Sequence, residues 1–373
     1  MEDKIIPVFK PYMNGREAKA VAEVLKTGWI GMGPKTEEFE KKFSQYIGTS
    51  HAVGLNSCTE ALHLAIRCLC LDEGEIITTP ITFVSTAHAI LYNGMKPVFA
   101  DVEEDTLNID VRDIERKITD KTRAIIPVHY GGQPCDMREI MALAKKHDLY
   151  VIEDCAHACG ASYHGKMAGN IGDMGCFSFH AVKNLATGDG GMVTVNDSSL
   201  DERLRKLRWC GINKSTHQRT DGKYKWDYDI DMLGYKSHMN DITAAIGLVQ
   251  LKKLERGNGL RRKVAARYDR AFEEAEWITP LRIKEGRVTS RHNYVVKVEK
   301  DREELIKYLA EHGVSAGVHY KPVYLHPYYK KLGIKAKTPV ADRIWKSIIT
   351  LPVYPDLKKD DVDKIIGLVL DFK

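Results

Sequence analysis

The segment Val151–Gly191 (VIEDCAHACGASYHGKMAGNIGDMGCFSFHAVKNLATGDGG) holds two residues that can do chemistry together. A hydrophobic run, YVIED, delivers the carboxylate Asp154. A second apolar run, ending in SFHAVKN, sets Lys183 at the edge of a glycine-rich turn. A carboxylate and a lysine at the ends of neighbouring strands are what pyridoxal 5'-phosphate (PLP) chemistry needs. The lysine forms a Schiff base with the aldehyde, and the carboxylate keeps the pyridine nitrogen protonated so that the ring acts as an electron sink. Burial lowers a lysine pKa and leaves the amine nucleophilic. Once released, the same amine can act as general base and acid for a 1,3-proton shift. A carboxylate at the end of an apolar strand is costly unless paired. A second role for Asp154 is to cap a short AHA helix, and Lys183 alone could be a surface loop lysine. The apolar CFSFHAV before Lys183 and the TGDGG after it argue for a strand end.

Other residues extend the pair. Ser57, Cys58 and Thr59 follow Asn56 at a strand-to-helix junction. Free N–H groups and the positive dipole end at a helix start suit a phosphate, although Ser and Thr there are also ordinary caps. Ser178 adds a hydroxyl. Phe83, just past a strand end, offers an aromatic face for a pyridine ring. His157 is expected to face the same pocket as Asp154. Cys155, His157 and Cys159 do not make a metal site, because Cys135 and Cys176 stand alone where a second ligand pair would be needed.

These residues need a scaffold that gathers strand ends. Asn14–Leu25 reads as a helix with Asn14 as a possible cap, and Thr36–Tyr46 as a second helix after the loop TGWIGMGP. From His51 strands and helices alternate. The strands are HAVGLN, EIITTP, PVFADV, RAIIPVHY and YVIEDC. The helices are CTEALHLAIRCL, Val84–Tyr92, VRDIERKI and MREIMALAKKH. This alternation implies right-handed crossovers and a mostly parallel sheet covered on both faces, an α/β fold with ligands at the carboxyl ends of the strands. Asn56, Pro80, Asp101, Tyr130, Asp154 and His180 lie at or just past those ends. Beyond Asn196 a short basic helix, Asp201–Arg208, precedes an irregular stretch, Gly211–Asp231, in and beside which Tyr224, Trp226, Tyr228 and Tyr235 favour order. Asn240–Phe272 reads as a long helical region with a possible break at GNG, Gly257–Gly259. The remainder alternates again: HNYVVKVE as a strand, REELIKYLAEHG as a helix, AGVHYKP as a strand, then ADRIWKSIITLPV. Two domains are expected, a large PLP-binding one over 1–255 that includes the N-terminal segment, and a smaller α/β one over 256–373.

Composition narrows the class. The 373 residues are 43% hydrophobic, ample for a large core, and carry 56 basic and 51 acidic side chains for a net charge of +5. That mild, mixed charge favours anionic small molecules over nucleic acid. The basic patches KLRWCGINK and LRRK read as solvated helix faces. The N-terminal MEDKIIPVFKPYM lacks an apolar leader core, and no apolar run is long enough to span a bilayer, so a soluble, cytoplasmic protein is expected. Eight cysteines without framework spacing read as reduced thiols.

NSCTEALHLAI, TFVSTAHAI, VHYGG, VIEDCAHACGA, SFHAVKNLATGDGG, GYKSHMNDITAAIGLVQL and AGVHYKP together resemble the DegT/StrS family, in order, from Trp29 to Tyr329. Those proteins are fold-type I, PLP-dependent aminotransferases acting on nucleotide-linked keto sugars. The resemblance implies that Lys183 carries the cofactor, Asp154 pairs with the ring nitrogen, His157 lies near the phenolic oxygen, and Phe83 stacks on the ring. It also implies that Cys58, Thr59 and Ser178 hold the phosphate. Trp29, His180, His292, His319 and Tyr320 match positions that line the sugar-nucleotide pocket. GYKSHMND matches a stretch that reaches across a homodimer to complete the partner's site, with Lys236 where many relatives have Asn; a lysine there would meet the phosphate as a point charge. By family habit L-glutamate donates the amino group. The GYK and SFHAVK forms lean towards C4 of a 4-keto-6-deoxy hexose, with C3 amination as the runner-up, in amino-sugar biosynthesis for a surface polysaccharide such as lipopolysaccharide or for a natural product. Amination of a non-nucleotide keto sugar or cyclitol stays open. Related sugar dehydratases have His in place of the lysine, so Lys183 argues against that branch. A non-enzymatic regulatory protein is disfavoured by the presence of both Lys183 and Asp154.

Overall fold

The computed structural model describes residues 5–71, 73–212 and 228–372. A seven-stranded sheet forms its centre. The strands are β1 (His51–Leu55), β2 (Glu75–Thr78), β3 (Lys96–Phe99), β4 (Thr122–Ile126), β5 (Tyr150–Asp154), β8 (Met174–Ser178) and β9 (Gly191–Val195). Two short strands, β6 (Ser162–Tyr163) and β7 (Lys166–Met167), form a hairpin between β5 and β8, and β11 (Arg287–Val288) pairs antiparallel with β6. The order across the sheet is β1-β9-β8-β5-β4-β2-β3. β8, β5, β4, β2 and β3 run parallel, and β9 is antiparallel to both β8 and β1. The expected fold class, α/β with a mostly parallel sheet, is the one observed.

Why these strands are buried is plain from their residues. β8 reads MGCFS and β9 GMVTV, and every residue of both is buried. Such continuous apolar runs belong to strands covered on both faces. Helix α3 (Cys58–Cys68) lays Ala61, Leu62, Leu64, Ala65 and Cys68 against Ile76, Ile126, Ile152 and Val193. Helix α2 (Pro34–Ile47) covers the other side, where Phe39 and Phe43 meet Phe177 and Phe179 in tilted and edge-on contacts 5.0–5.4 Å apart. Removing each such side chain from water stabilises the fold by about 1.5–3 kcal/mol.

The long helix Asp241–Ala271 changes partners along its length. Ala244, Leu248 and Leu254 pack with Phe39, Phe43 and Met192, whereas Val264, Ala265 and Tyr268 pack with Tyr294, Val296, Ile349 and Val369. The second group belongs to a three-stranded antiparallel sheet, β10 (Ile278–Pro280), β12 (Tyr294–Val298) and β13 (Ile348–Leu351), with β12 central. Ile6 joins this second core: its N–H donates to Gly313 O at 2.8 Å.

Four expectations need correction. The break at Gly257–Gly259 is absent, and the helix runs through 31 residues. Each glycine costs about 1 kcal/mol there, but packing on both sides and the buried Asn258 outweigh it, with Asn258 Nδ2 donating to Cys159 O at 3.0 Å. AGVHYKP is not a strand. Only Gly317 pairs, with Thr350, and the chain then turns aside. Asn14 is not the cap of the first helix, α1 (Arg16–Thr27); that position is Gly15, and Asn14 Oδ1 accepts from Arg16 N at 3.3 Å. Asp101 ends near β3 but does not contribute chemistry, because its two oxygens accept from Val340 N and Ala341 N and cap the helix Pro339–Ile344. Tyr224 and Trp226 lie outside the described residues, whereas Tyr235 packs against His63 with ring centroids 4.7 Å apart. Among the described residues no helix is long and apolar enough to cross a membrane.

Candidate active site

The carboxyl ends of β5 and β8 open into a cavity of about 300 Å³. Asp154 is the last residue of β5 and is aligned with Cys176 of β8. The chain leaves β8 at Ser178, turns, and returns as β9, and Lys183 sits on that turn. Twelve of the fourteen residues singled out from sequence reach the wall: Ser57, Cys58, Thr59, Phe83, Asp154, His157, Ser178, His180, Lys183, His292, His319 and Tyr320. Trp29 and Lys236 do not. The Trp29 indole donates to Met32 O at 3.2 Å, and Lys236 Nζ lies 3.5 Å from the centre of the Trp209 ring.

Asp154 is 3% exposed. Its Oδ1 accepts from Ala156 N at 3.0 Å and its Oδ2 from Thr86 Oγ1 at 2.8 Å. The bond to Ala156 is the local cap expected as the second role, made over a turn and not a helix. Burial raises the pKa above the usual carboxylate range, with the two hydrogen bonds and Lys183 opposing it. A carboxylate so placed stands to gain from a cationic partner. Burial also brings the Lys183 amine down to about 8, against the pull of Cys58 and Asp154. The neutral, nucleophilic form is therefore far better populated near neutral pH than in an exposed lysine.

The phosphate end is built at the start of α3. Ser57 Oγ accepts from Glu60 N at 3.2 Å, so this hydroxyl serves as the ordinary cap. The amides of Cys58 and Thr59 still point out of the helix start. Thr59 Oγ1 pairs with Ser85 Oγ at 2.7 Å, and Ser178 Oγ accepts from His180 N at 3.4 Å. Gly191 packs directly on the backbone of this helix start: a Cβ there would lie 2.3 Å from Ser57 O and 2.7 Å from Cys58 N. Across the cavity Phe83 is 58% exposed, with its ring 6.3 Å from that of Tyr320.

Three histidines line the remaining wall. His157 Nε2 lies 3.2 Å from Tyr320 Oη, and its buried Nδ1 has no partner. His157 and His292 stand 4.4 Å apart, and burial holds both well below the usual imidazole pKa. His319, also lowered by burial to about 4, pairs with Thr350 Oγ1 at 2.9 Å. The side chains Thr86, Thr82, Ser85 and Phe9 line the cavity too and were not anticipated. Thr86 carries a legible signal, a hydroxyl in the first turn of the helix α4 (Ser85–Tyr92) that follows β2. Phe9 carries none, because only the tertiary fold brings the N-terminal segment here.

Among the described residues the group with metal-ligand proximity is His129, Glu153 and Cys155. There Glu153 already accepts from Gly169 N, Ile171 N, Gly172 N and His129 Nε2, at 2.7–2.9 Å. The carboxylate thus anchors the β7–β8 connection.

The chain that builds this site matches the DegT/DnrJ/EryC1/StrS aminotransferase family model over residues 11–370. The chain belongs to the DegT/DnrJ/EryC1/StrS aminotransferase family. It is an aminotransferase of fold type I. The spore coat polysaccharide biosynthesis protein SpsC of Bacillus subtilis is 43% identical over 376 residues, 98% of this chain and 96% of that protein. Helicobacter pylori PseC, an aminotransferase involved in pseudoaminic acid biosynthesis, superposes with a TM-score of 0.93 at 33% identity, covering 98% of each chain. Spr1654 of Streptococcus pneumoniae, assigned as a sugar aminotransferase and solved in its PLP form, superposes with a TM-score of 0.90 at 35% identity over 97% of each chain.

Proposed function

We propose that this aminotransferase uses PLP to move the amino group of L-glutamate onto a nucleotide-linked keto sugar, at C4 of a 4-keto-6-deoxy hexose. The reading rests on one observation above the others: Lys183 and Asp154 share the cavity at the ends of two neighbouring parallel strands. The residues fit the cofactor. Among the described residues Asp154 is a buried carboxylate with no cation bonded to it, and His157 Nδ1 is a buried polar atom without a partner. Bound PLP supplies the electron sink that makes the proton on the amine-bearing substrate carbon removable.

The chain's own residues do the rest. The Cys58 and Thr59 amides and Ser178 hold the phosphate. Asp154 holds the ring nitrogen in its protonated state, supported by Thr86. Phe83 would stack on the ring, and His157 would lie near the phenolic oxygen. Lys183 Nζ would act as the base and acid of the 1,3-proton shift, which requires an amine poised near working pH. His180, exposed at the rim, with His319 and Tyr320, orients the sugar. The net positive charge favours a substrate bearing a diphosphate.

A homodimer completes the site. Trp29 and Lys236 lie outside the cavity of their own chain, which supports their serving a second subunit's cavity. The change of core along Asp241–Ala271 between Leu254 and Val264 supports a domain boundary near residue 255, with the cofactor domain before it. The sugar assignment draws on the polysaccharide and pseudoaminic acid roles of SpsC and PseC.

The test is Lys183→Ala. The variant loses turnover and the near-visible absorbance of lysine-linked PLP; transamination surviving in it would remove the lysine from this role. A panel of nucleotide keto sugars, with the product read by NMR, assigns C4 or C3, and activity on free cyclitols alone would overturn the nucleotide requirement.

A further inference from the structure

A chain of buried amides ends at the lysine. Asn258 Nδ2 donates to Cys159 O at 3.0 Å, which leaves Asn258 Oδ1 as an acceptor facing Asn184 Nδ2 at 2.7 Å. The same Asn184 nitrogen donates to Ser290 O at 2.9 Å. Backbone carbonyls only accept, so the orientation of both amides is fixed by the network. Both amide hydrogens of Asn184 are then used, and its Oδ1 faces His292 Nδ1 at 3.1 Å. That contact needs a proton on Nδ1. His292 is 2% exposed and neutral, since burial and the nearby Lys183 hold its pKa well below the usual range. A neutral imidazole has one N–H, so Nε2 presents a lone pair, and it does so 3.4 Å from Lys183 Nζ. The ring cannot readily turn away, being stacked on Phe9 with an interplanar angle of 4° and flanked by His157.

We infer that Asn184 is a positioning residue for Lys183: it fixes the His292 tautomer so that a lone pair, not an N–H, faces the lysine nitrogen. This rests on the proposed role of Lys183. The consequence is chemical. An amine that donates one N–H to His292 keeps its own lone pair free for the cavity. The opposite tautomer would aim an N–H at the amine, engage that lone pair, and suppress both its attack on an aldehyde and its uptake of a proton.

Side-chain nitrogen NMR of the full-length chain with ¹⁵N-labelled histidine tests this at alkaline pH, with His292 assigned by its loss in His292→Gln. Wild type should show Nδ1 protonated and Nε2 bare. Asn184→Leu should lose that pattern and capture pyridoxal phosphate at Lys183 about tenfold more slowly, the worth of one hydrogen bond. Asn184→Asp keeps an acceptor opposite Nδ1 and should recover the pattern and most of the rate. Both variants lose the donations to Asn258 and Ser290, so a merely structural role predicts parallel losses in the two. A protonated Nε2 in wild type, or identical behaviour of the Leu and Asp variants, overturns the inference. The tautomer should persist in Lys183→Ala, because it is set from the Asn184 side. Turnover surviving in Lys183→Ala would instead strike at the function assigned to the lysine.

Discussion

Asp154→Asn should move two properties of the protein in opposite directions. The carboxylate is buried, and without a bound cation its folded-state pKa lies above its value in the unfolded chain. Between those two values the native state binds more protons than the unfolded one, so stability falls as pH rises through that window and stays reduced above it. Each tenfold in the proton equilibrium corresponds to about 1.4 kcal/mol. An isosteric amide removes this penalty. It also fits: the amide oxygen can accept from Ala156 N, and Thr86 can turn its hydroxyl towards Thr82 Oγ1 at 2.8 Å or Phe83 O at 3.3 Å while accepting from the new NH₂. Cofactor-free Asp154→Asn should therefore unfold at a temperature equal to or above wild type at neutral pH. With PLP the order reverses. A hydrogen bond to a charged group is worth about 1.5–3 kcal/mol, so binding should weaken roughly 10- to 150-fold. Thermal unfolding of the cofactor-free proteins and absorbance titration with PLP give the two numbers. A destabilised cofactor-free variant combined with unchanged PLP affinity would refute the reasoning, because it would make Asp154 a structural residue.

Other outcomes follow from particular contacts. The Lys183 amine titrates near 8 when folded against 10.5 as the reference value, so the native state binds fewer protons between them. Cofactor-free stability should rise with pH over that interval, relative to Lys183→Met, and a pH-independent difference between the two proteins would contradict this. The rate of PLP capture should likewise rise through about pH 8 and level off above it. Gly191→Ala should cost about 1–3 kcal/mol and weaken PLP binding, since the new Cβ would sit 2.3 Å from Ser57 O at the helix start; chemical denaturation and titration report both. Glu40→Ala should cost about 3–5 kcal/mol at a residue outside the cavity wall, because it strands the buried Arg208 and removes the acceptor for Gly54 N at 2.8 Å, while PLP affinity per folded molecule stays at the wild-type value.

The site was legible where chemistry and chain order coincide. Asp154 ends a strand whose apolar run announces it, Ser57 caps the helix that follows β1, and Lys183 follows another apolar run. The residues that escaped notice act through contacts distant in sequence: Thr86 reaches Asp154 across 68 positions, and Asn184 reaches Asn258 across 74. The strand expected at AGVHYKP failed because alternation of apolar residues says nothing about whether a partner edge is available. There the chain leaves β13 after Gly317 and gives His319 and Tyr320 to the cavity instead. The GNG break failed because local propensity, worth about 1 kcal/mol per glycine, is smaller than packing against two cores.

Sequence alone determined the strand and helix order, the acid and the amine, and the helix start between them, because each depends on a local pattern of apolar, turn and capping residues. Only the tertiary structure decided which strands became neighbours, that Trp29 and Lys236 do not reach their own chain's cavity, and that His292 Nε2 comes within 3.4 Å of Lys183 Nζ. Those outcomes depend on how well buried polar groups can satisfy one another across long stretches of chain, and hydrogen-bond complementarity of that kind exists only once the elements have packed.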